Sequence, residues 1–203
     1  MADSNPAPEF FVIDVEATGP NLIVHSLIEI GVVHAGNLEN TFHCRLKPPE
    51  GGVVSSWVEE TIPDVLAAAR ETGQEPKAAA EALKEWVVSI TGDKPAVMVG
   101  YVTGLDWRGI CELFERELGP DENPFHYKHV DIYPLAMGAL GVPWGFSREE
   151  MDVWLEIPPL PEGEAHHALN DARQHALEFN ALVKMLGPRW AASALGLPGE
   201  GET

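Results

Sequence analysis

Basic residues are scarce in this sequence. Thirteen Lys plus Arg stand against thirty-two Asp plus Glu, giving a formal net charge of −19 over 203 residues. Proteins that hold long duplexes by their phosphates carry a basic stripe. Here the few bases are scattered, which argues against a long duplex as partner. Cysteine is almost absent: Cys44 and Cys111 lie far apart and offer neither a disulfide framework nor zinc-ligand spacing. Long apolar runs are missing too. Stretches such as Ala96 to Val99 fall far short of the roughly 20 residues that span a membrane. Met1 to Glu9 has no basic start and no apolar core, so a secretory signal is not expected and a cytoplasmic location is. What is present is a 45% hydrophobic chain. That is too apolar for a disordered protein, and the length suffices to bury a core without disulfides or metal. It suits a single domain. Residues 1–9 read as a flexible N-terminus, 10–187 as the domain and 188–203 as a C-terminal tail.

The chain begins with strand signals. Phe10 to Ala17 is apolar and β-branched, Leu27 to His34 is a second candidate, and Leu38 to Leu46 follows the Ala35-Gly36-Asn37 turn. This reads as a three-stranded meander. After Pro48-Pro49 and Gly51-Gly52, helical spacing appears from Pro76 through Ala79, Leu83, Val87 and Ile90. Ala96 to Val102 reads as a buried strand, Trp107 to Leu118 as an amphipathic helix and Tyr127 to Ile132 as a fifth strand. Ser147 with Glu150 predicts a capping box. Leu169, Ala172, Ala176, Phe179 and Val183 predict a last helix, ended by Gly187-Pro188. The fold class is α/β.

Three acidic sites stand out. Asp14 and Glu16 end the first strand, where alternate residues face one side. Two like charges on one face of a buried strand repel unless a cation lies between them, and a hard divalent ion prefers carboxylate oxygens. The other reading is that the strand has ended and both acids are solvated. Asp106 sits at a strand–helix junction, where an Asp is first of all a helix N-cap. His166 precedes the last helix and Asp171 lies within it; His166-His167 also reads as a plain polar loop.

Taken in order, these stretches resemble the DEDDh group of the DnaQ-like 3′–5′ exonucleases. The matching residues are Phe11 to Gly19 with Asp14-Val15-Glu16, then Leu105-Asp106, then His166-His167-Ala168-Leu169-Asn170-Asp171-Ala172. Ile28-Glu29-Ile30-Gly31 and Asp131 to Ala136 support the match. One position departs: Val102 stands where the family usually has Asn. The resemblance implies a ribonuclease H-like fold, with a mixed five-stranded sheet made of the antiparallel meander and then parallel strands, flanked by helices. It implies hydrolysis of phosphodiester bonds from the 3′ end of single-stranded RNA or DNA, using two divalent cations, Mg²⁺ or Mn²⁺. Asp14, Glu16, Asp106 and Asp171 would hold the metals, with Asp14 bridging both. His166, five residues before Asp171, would be the general base, ahead of His167. The backbone at Ala17 and Thr18 would meet the terminal nucleotide. A homodimer is common in the family.

Other residues carry two readings. Glu29 is either a support for the metal ligands or a solvated strand-edge acid. Asp131 either positions segment 165–171 or ends a strand. Trp107 and Trp144 are the candidates for stacking on bases, whereas Phe10 and Phe11 read as core. Two rival functions remain open: a catalytically inert interaction module on the same fold, and a small-molecule metal-dependent phosphoesterase.

Overall fold

The computed structural model describes residues 6–195. Strands β1 (Glu9–Ala17), β2 (Leu27–His34), β3 (Thr41–Arg45), β4 (Ala96–Gly100) and β5 (Val130–Asp131) form one sheet in the order β3-β2-β1-β4-β5. The β1–β2 and β2–β3 pairs are antiparallel, and β1–β4 and β4–β5 are parallel. The mixed five-stranded sheet expected from the sequence is present.

β1 is buried on both faces, as a central strand must be. Phe11, Ile13 and Val15 pack into a core with Leu83 and Val87 of α3 (Pro76–Thr91) and Ile110 and Phe114 of α4 (Gly104–Glu117). Phe10 and Val12 face the other way, against Ala172, Ala176, Phe179 and Val183 of α7 (Ala168–Met185). By the two-residue period, Asp14 and Glu16 continue the face that α7 covers.

α7 lies close on the sheet because β2 offers it a glycine. Gly31 pairs with Asp14 across the ladder. A Cβ added there would overlap the carbonyl of Ala168 and the nitrogen of Leu169. Beside it, Glu29 is buried and its Oε2 accepts from the Ala168 backbone N–H at 3.0 Å. That bond satisfies one of the free N–H groups of the helix's first turn. Glu29 is held in turn by His43 at 2.8 Å and Arg45 at 3.1 Å, both from β3.

Several elements differ from the sequence reading. Helices α1 (Ser56–Thr61) and α2 (Pro63–Thr72) fill a stretch left unassigned. Each is too short to show a long period, and Pro63 separates them. β5 has two residues and gives way at Ile132 to α5 (Ile132–Leu140), because the Asp131 side chain caps that helix through the Tyr133 N–H. Within the segment expected as a tail, 188–203, Pro188–Leu195 forms α8, with Ala191 and Ala194 buried against α7 and β1. Pro188 opens this helix, a position that needs no N–H donor, instead of marking only a stop. Residues 1–5 and 196–203 lie outside the described residues. Among those described, no helix is long and apolar enough to cross a membrane.

The Gly31 contact is testable. Gly31→Ala forces backbone apart instead of a flexible side chain, which costs about 1–3 kcal/mol. The expected result is a melting temperature lower by roughly 2–4 °C per kcal/mol, with loss of any activity that depends on the α7 turn. A variant that melts like the parent overturns the close approach.

Candidate active site

The five residues singled out from the sequence line one cavity of about 530 Å³. β1 supplies Asp14 and Glu16, α4 supplies Asp106, the turn before α7 supplies His166, and the first turn of α7 supplies Asp171.

Asp106 does not cap its helix. Thr103 holds the N-cap position, and Asp106 sits inside the first turn with its carboxylate buried. Its Oδ1 accepts from the Val15 N–H at 3.1 Å, which pins α4 to β1 between Asp14 and Glu16. Asp131 fixes the turn leading into α4, accepting from the N–H groups of Val102 at 3.3 Å and Thr103 at 3.0 Å. It therefore supports the Asp106 segment and makes no hydrogen bond to 165–171.

His166 adopts φ +62, a left-handed conformation that is uncommon outside glycine. Its N–H donates to Asp171 Oδ2 at 2.6 Å, while its ring stands exposed, edge-on to Trp57 at 5.5 Å between centroids. His167 turns away, its Nε2 lying 3.5 Å from Asp64 on α2. Ligand atoms of Glu16, His166 and Asp171 lie within 4.8 Å of one another. That spacing lets the two carboxylates hold a small divalent ion with the His166 ring beside it. Asp14 and Asp106 line the same cavity outside that triplet.

The electrostatics carry the same message. Burial, together with the carboxylates of Asp14, Asp171, Glu29 and Asp106, pushes Glu16 up to about 9. Burial raises Asp106 well above the carboxylate range, with Asp14 adding to it. Asp14 is raised by burial, partly offset by His175. Oxygen donors that strain to stay neutral fit a hard divalent cation, whose charge would let them ionise.

Ala17 borders a second, smaller cavity of about 320 Å³ with Glu16, Gly19, Trp57 and Leu105. Thr18 does not share it. Thr18 is buried, its N–H donates to Ser26 at 2.8 Å and its carbonyl accepts from Ser55 at 2.8 Å. The N–H and carbonyl of Thr18 are thus both engaged within the fold. Of the tryptophans, Trp107 stacks on His129 and Trp144 is largely exposed, and neither lines these two cavities.

Sequence reading missed three contributors. Trp57 lies on α1, which was itself unassigned. Arg148, the first residue of α6 (Arg148–Trp154), reaches Asp171 Oδ1 with its Nη1 at 2.7 Å. Buried His175 contacts Glu178 at 2.9 Å through Nδ1, lies 3.7 Å from Asp14 through Nε2 and stacks on Tyr101. Burial opposes its charge, but Asp14 and Glu178 outweigh that and carry it up to about 10. His175 was within reach of the sequence, because it stands one helical turn after Asp171. Nothing local marked Arg148. Glu29 is settled as a buried anchor of α7, not a solvated acid.

The backbone is shared with solved exonucleases. Pop2p of S. pombe, in a form with Mg²⁺ and Mn²⁺ bound, has a TM-score of 0.65 at 17% identity, covering 84% of this chain and 81% of that one. A zinc-bound complex of E. coli exonuclease I with single-stranded DNA has a TM-score of 0.67 at 17% identity, covering 91% of this chain and 42% of that one. The fold is therefore that of the ribonuclease H-like exonucleases. No family model matches the chain. In sequence, the chain is 31% identical over 179 residues to the 3′–5′ DNA exonuclease Cap18 of Escherichia coli, spanning 87% of this chain and 93% of that relative. A PolC-type DNA polymerase III of Thermotoga maritima is 25% identical over 180 residues, which is 12% of its length. The chain belongs to the DnaQ-like 3′–5′ exonucleases, and so is a nuclease.

The raised acid sets a pH dependence. Folded Glu16 keeps its proton up to about 9, while the unfolded chain releases it near 4.5. The contribution of Glu16 to stability in chelator is thus full below about 4.5 and lost as pH rises toward 9. His175, raised from 6.5 to about 10, acts with the same sign between those values. The expected melting temperature in EDTA falls across this window, and Glu16→Gln flattens the fall and melts roughly 2–4 °C higher per kcal/mol of repulsion relieved. A parent melting temperature that climbs with pH over the window overturns this.

Val102 is a β-branched residue at φ +56, with its side chain 56% exposed. Such a residue costs about 1–3 kcal/mol there, whereas Asn tolerates the left-handed region. Val102→Asn is expected to raise the melting temperature by a few degrees; a lower value counts against strain at this turn.

Proposed function

We propose that the chain removes nucleotides one at a time from the 3′ end of single-stranded nucleic acid, with two divalent cations and a histidine base. The observation that carries this is the convergence of Asp14, Glu16, Asp106, Asp171 and His166 on one cavity, with acids held far above their ordinary range. Mg²⁺ or Mn²⁺ bound by these acids would supply Lewis-acid stabilisation of the attacking and leaving oxygens of a phosphodiester. Asp14, Glu16, Asp106 and Asp171 are the residues that would hold these ions. His166 takes the proton from the attacking water. Its exposed ring and its lack of an acidic partner on the ring leave it free to do so. Ala17 and Trp57 line the adjoining apolar cavity, of a size to receive the terminal base. DNA is the favoured strand, since the relative at 31% identity is named a DNA exonuclease. A homodimer plays no part in this reading.

The test is a time course on a 5′-labelled single-stranded oligonucleotide with Mg²⁺ or Mn²⁺, run in parallel on DNA and RNA. Stepwise shortening from the 3′ end is expected, faster on DNA. Asp14→Ala or Asp171→Ala abolishes it while the protein stays folded. His166→Ala lowers turnover by about 10²–10⁴-fold with little change in metal affinity. Full activity in an Asp variant, or greater damage from His167→Ala than from His166→Ala, refutes the assignment.

A further inference from the structure

Among the residues lining the main cavity, Arg148 carries the one permanent positive charge. Around it stand Asp14, Glu16, Asp106, Asp171 and Glu149.

Its backbone is firmly placed. The capping box of Ser147 and Glu150 closes the start of α6, with Ser147 N–H donating to Glu150 at 2.8 Å. Met151 is buried in the core beside α7, and Gln174 donates to Asp152 at 3.0 Å. Two further links therefore fasten α6 to the helix that carries Asp171. Arg148 Nη1 to Asp171 Oδ1, at 2.7 Å, is its hydrogen bond among the described residues. The side chain is 24% exposed. A guanidinium has five N–H donors in a planar fork, so one edge holds Asp171 and another remains for a ligand in the cavity. Forked donors of this kind match the non-bridging oxygens of a phosphate.

We infer that Arg148 contacts the phosphodiester being cut and stabilises the negative charge that grows on its oxygens during hydrolysis. The inference rests on the proposed exonuclease reading. Asp171 orients the guanidinium and the capped helix fixes its root, so the donor is in place before the charge develops. In a cavity otherwise lined by acids, it also gives a phosphate a reason to enter.

The competing role is a prop that merely holds Asp171. Three measurements on Arg148→Ala and Arg148→Gln separate the two. The Gln variant keeps an amide donor for Asp171 but loses the charge. Turnover on single-stranded DNA is expected to fall about 10²-fold or more in both variants. The affinity for dTMP, measured by calorimetry in Ca²⁺, is expected to fall about tenfold or more. Mn²⁺ affinity, read by electron paramagnetic resonance, changes by less than about threefold, and both variants melt near the parent temperature. Mn²⁺ affinity that drops in step with turnover, parental turnover in Arg148→Gln, or unchanged dTMP binding overturns the inference. A parent protein that digests no nucleic acid instead sinks the exonuclease reading, and the dTMP and Mn²⁺ measurements still report on Arg148.

Discussion

The architecture turns on how closely the first turn of α7 lies against β2. Gly31 removes the side chain that would stand between them, and Glu29 two pairs further along supplies a carboxylate to the Ala168 N–H. Gly31 faces Asp14 and Glu29 faces Glu16 in the ladder, so the two residues that admit α7 are the cross-strand partners of the two acids it must meet. The space above Gly31 is what lets the first turn of α7, with Asp171, reach the end of β1. The left-handed turn at His166 completes the arrangement. It sends the backbone N–H toward Asp171 and the ring outward, two tasks that an ordinary helical approach would set against each other.

The second constraint is charge. Four carboxylates share a buried space, and the fold answers with devices that leave their oxygens partly free. The Val15 N–H takes one oxygen of Asp106, the His166 N–H takes one of Asp171, Arg148 takes the other, and His175 stands beside Asp14 with Glu178 behind it. Glu16 has no such partner among the described residues, and it is the acid driven up to about 9. The surplus of acid that marks the whole sequence is thus not uniform in meaning. Much of it is solvated surface, whereas at the end of β1 it is concentrated repulsion.

Much of this was readable from the chain, and the division has physical causes. β1, β2, α3, α4 and α7 have long or strongly alternating patterns, so their type followed from periodicity. The acids were recognisable because their residue types and order survive in isolation. Short elements were harder. α1, α2 and α5 have at most ten residues each, and β5 is held by two pairs with β4 and not by its own pattern. α8 was hidden behind a Gly-Pro pair that ends one helix and begins the next. Asp106 looked like a cap because local sequence cannot see Val15, 91 residues away. Arg148 and Trp57 gave no sign for the same reason: their significance lies wholly in what the fold brings beside them. Val102 was visible as a departure, and its left-handed backbone shows why Asn would sit there more easily.

The elevated Glu16 also qualifies the formal net charge. The formal −19 assigns a negative charge to every acid, yet an acid held at about 9 retains its hydrogen at neutrality. A cation taken up beside Glu16 would have to displace that proton into the medium. Loading is then an ion exchange as much as a coordination event, and it draws acid out of the protein. Its heat should vary with the ionisation enthalpy of the buffer, and its apparent strength should climb with alkalinity. The cavity would then act as a small reservoir of protons, exchanged for whatever cation it takes up.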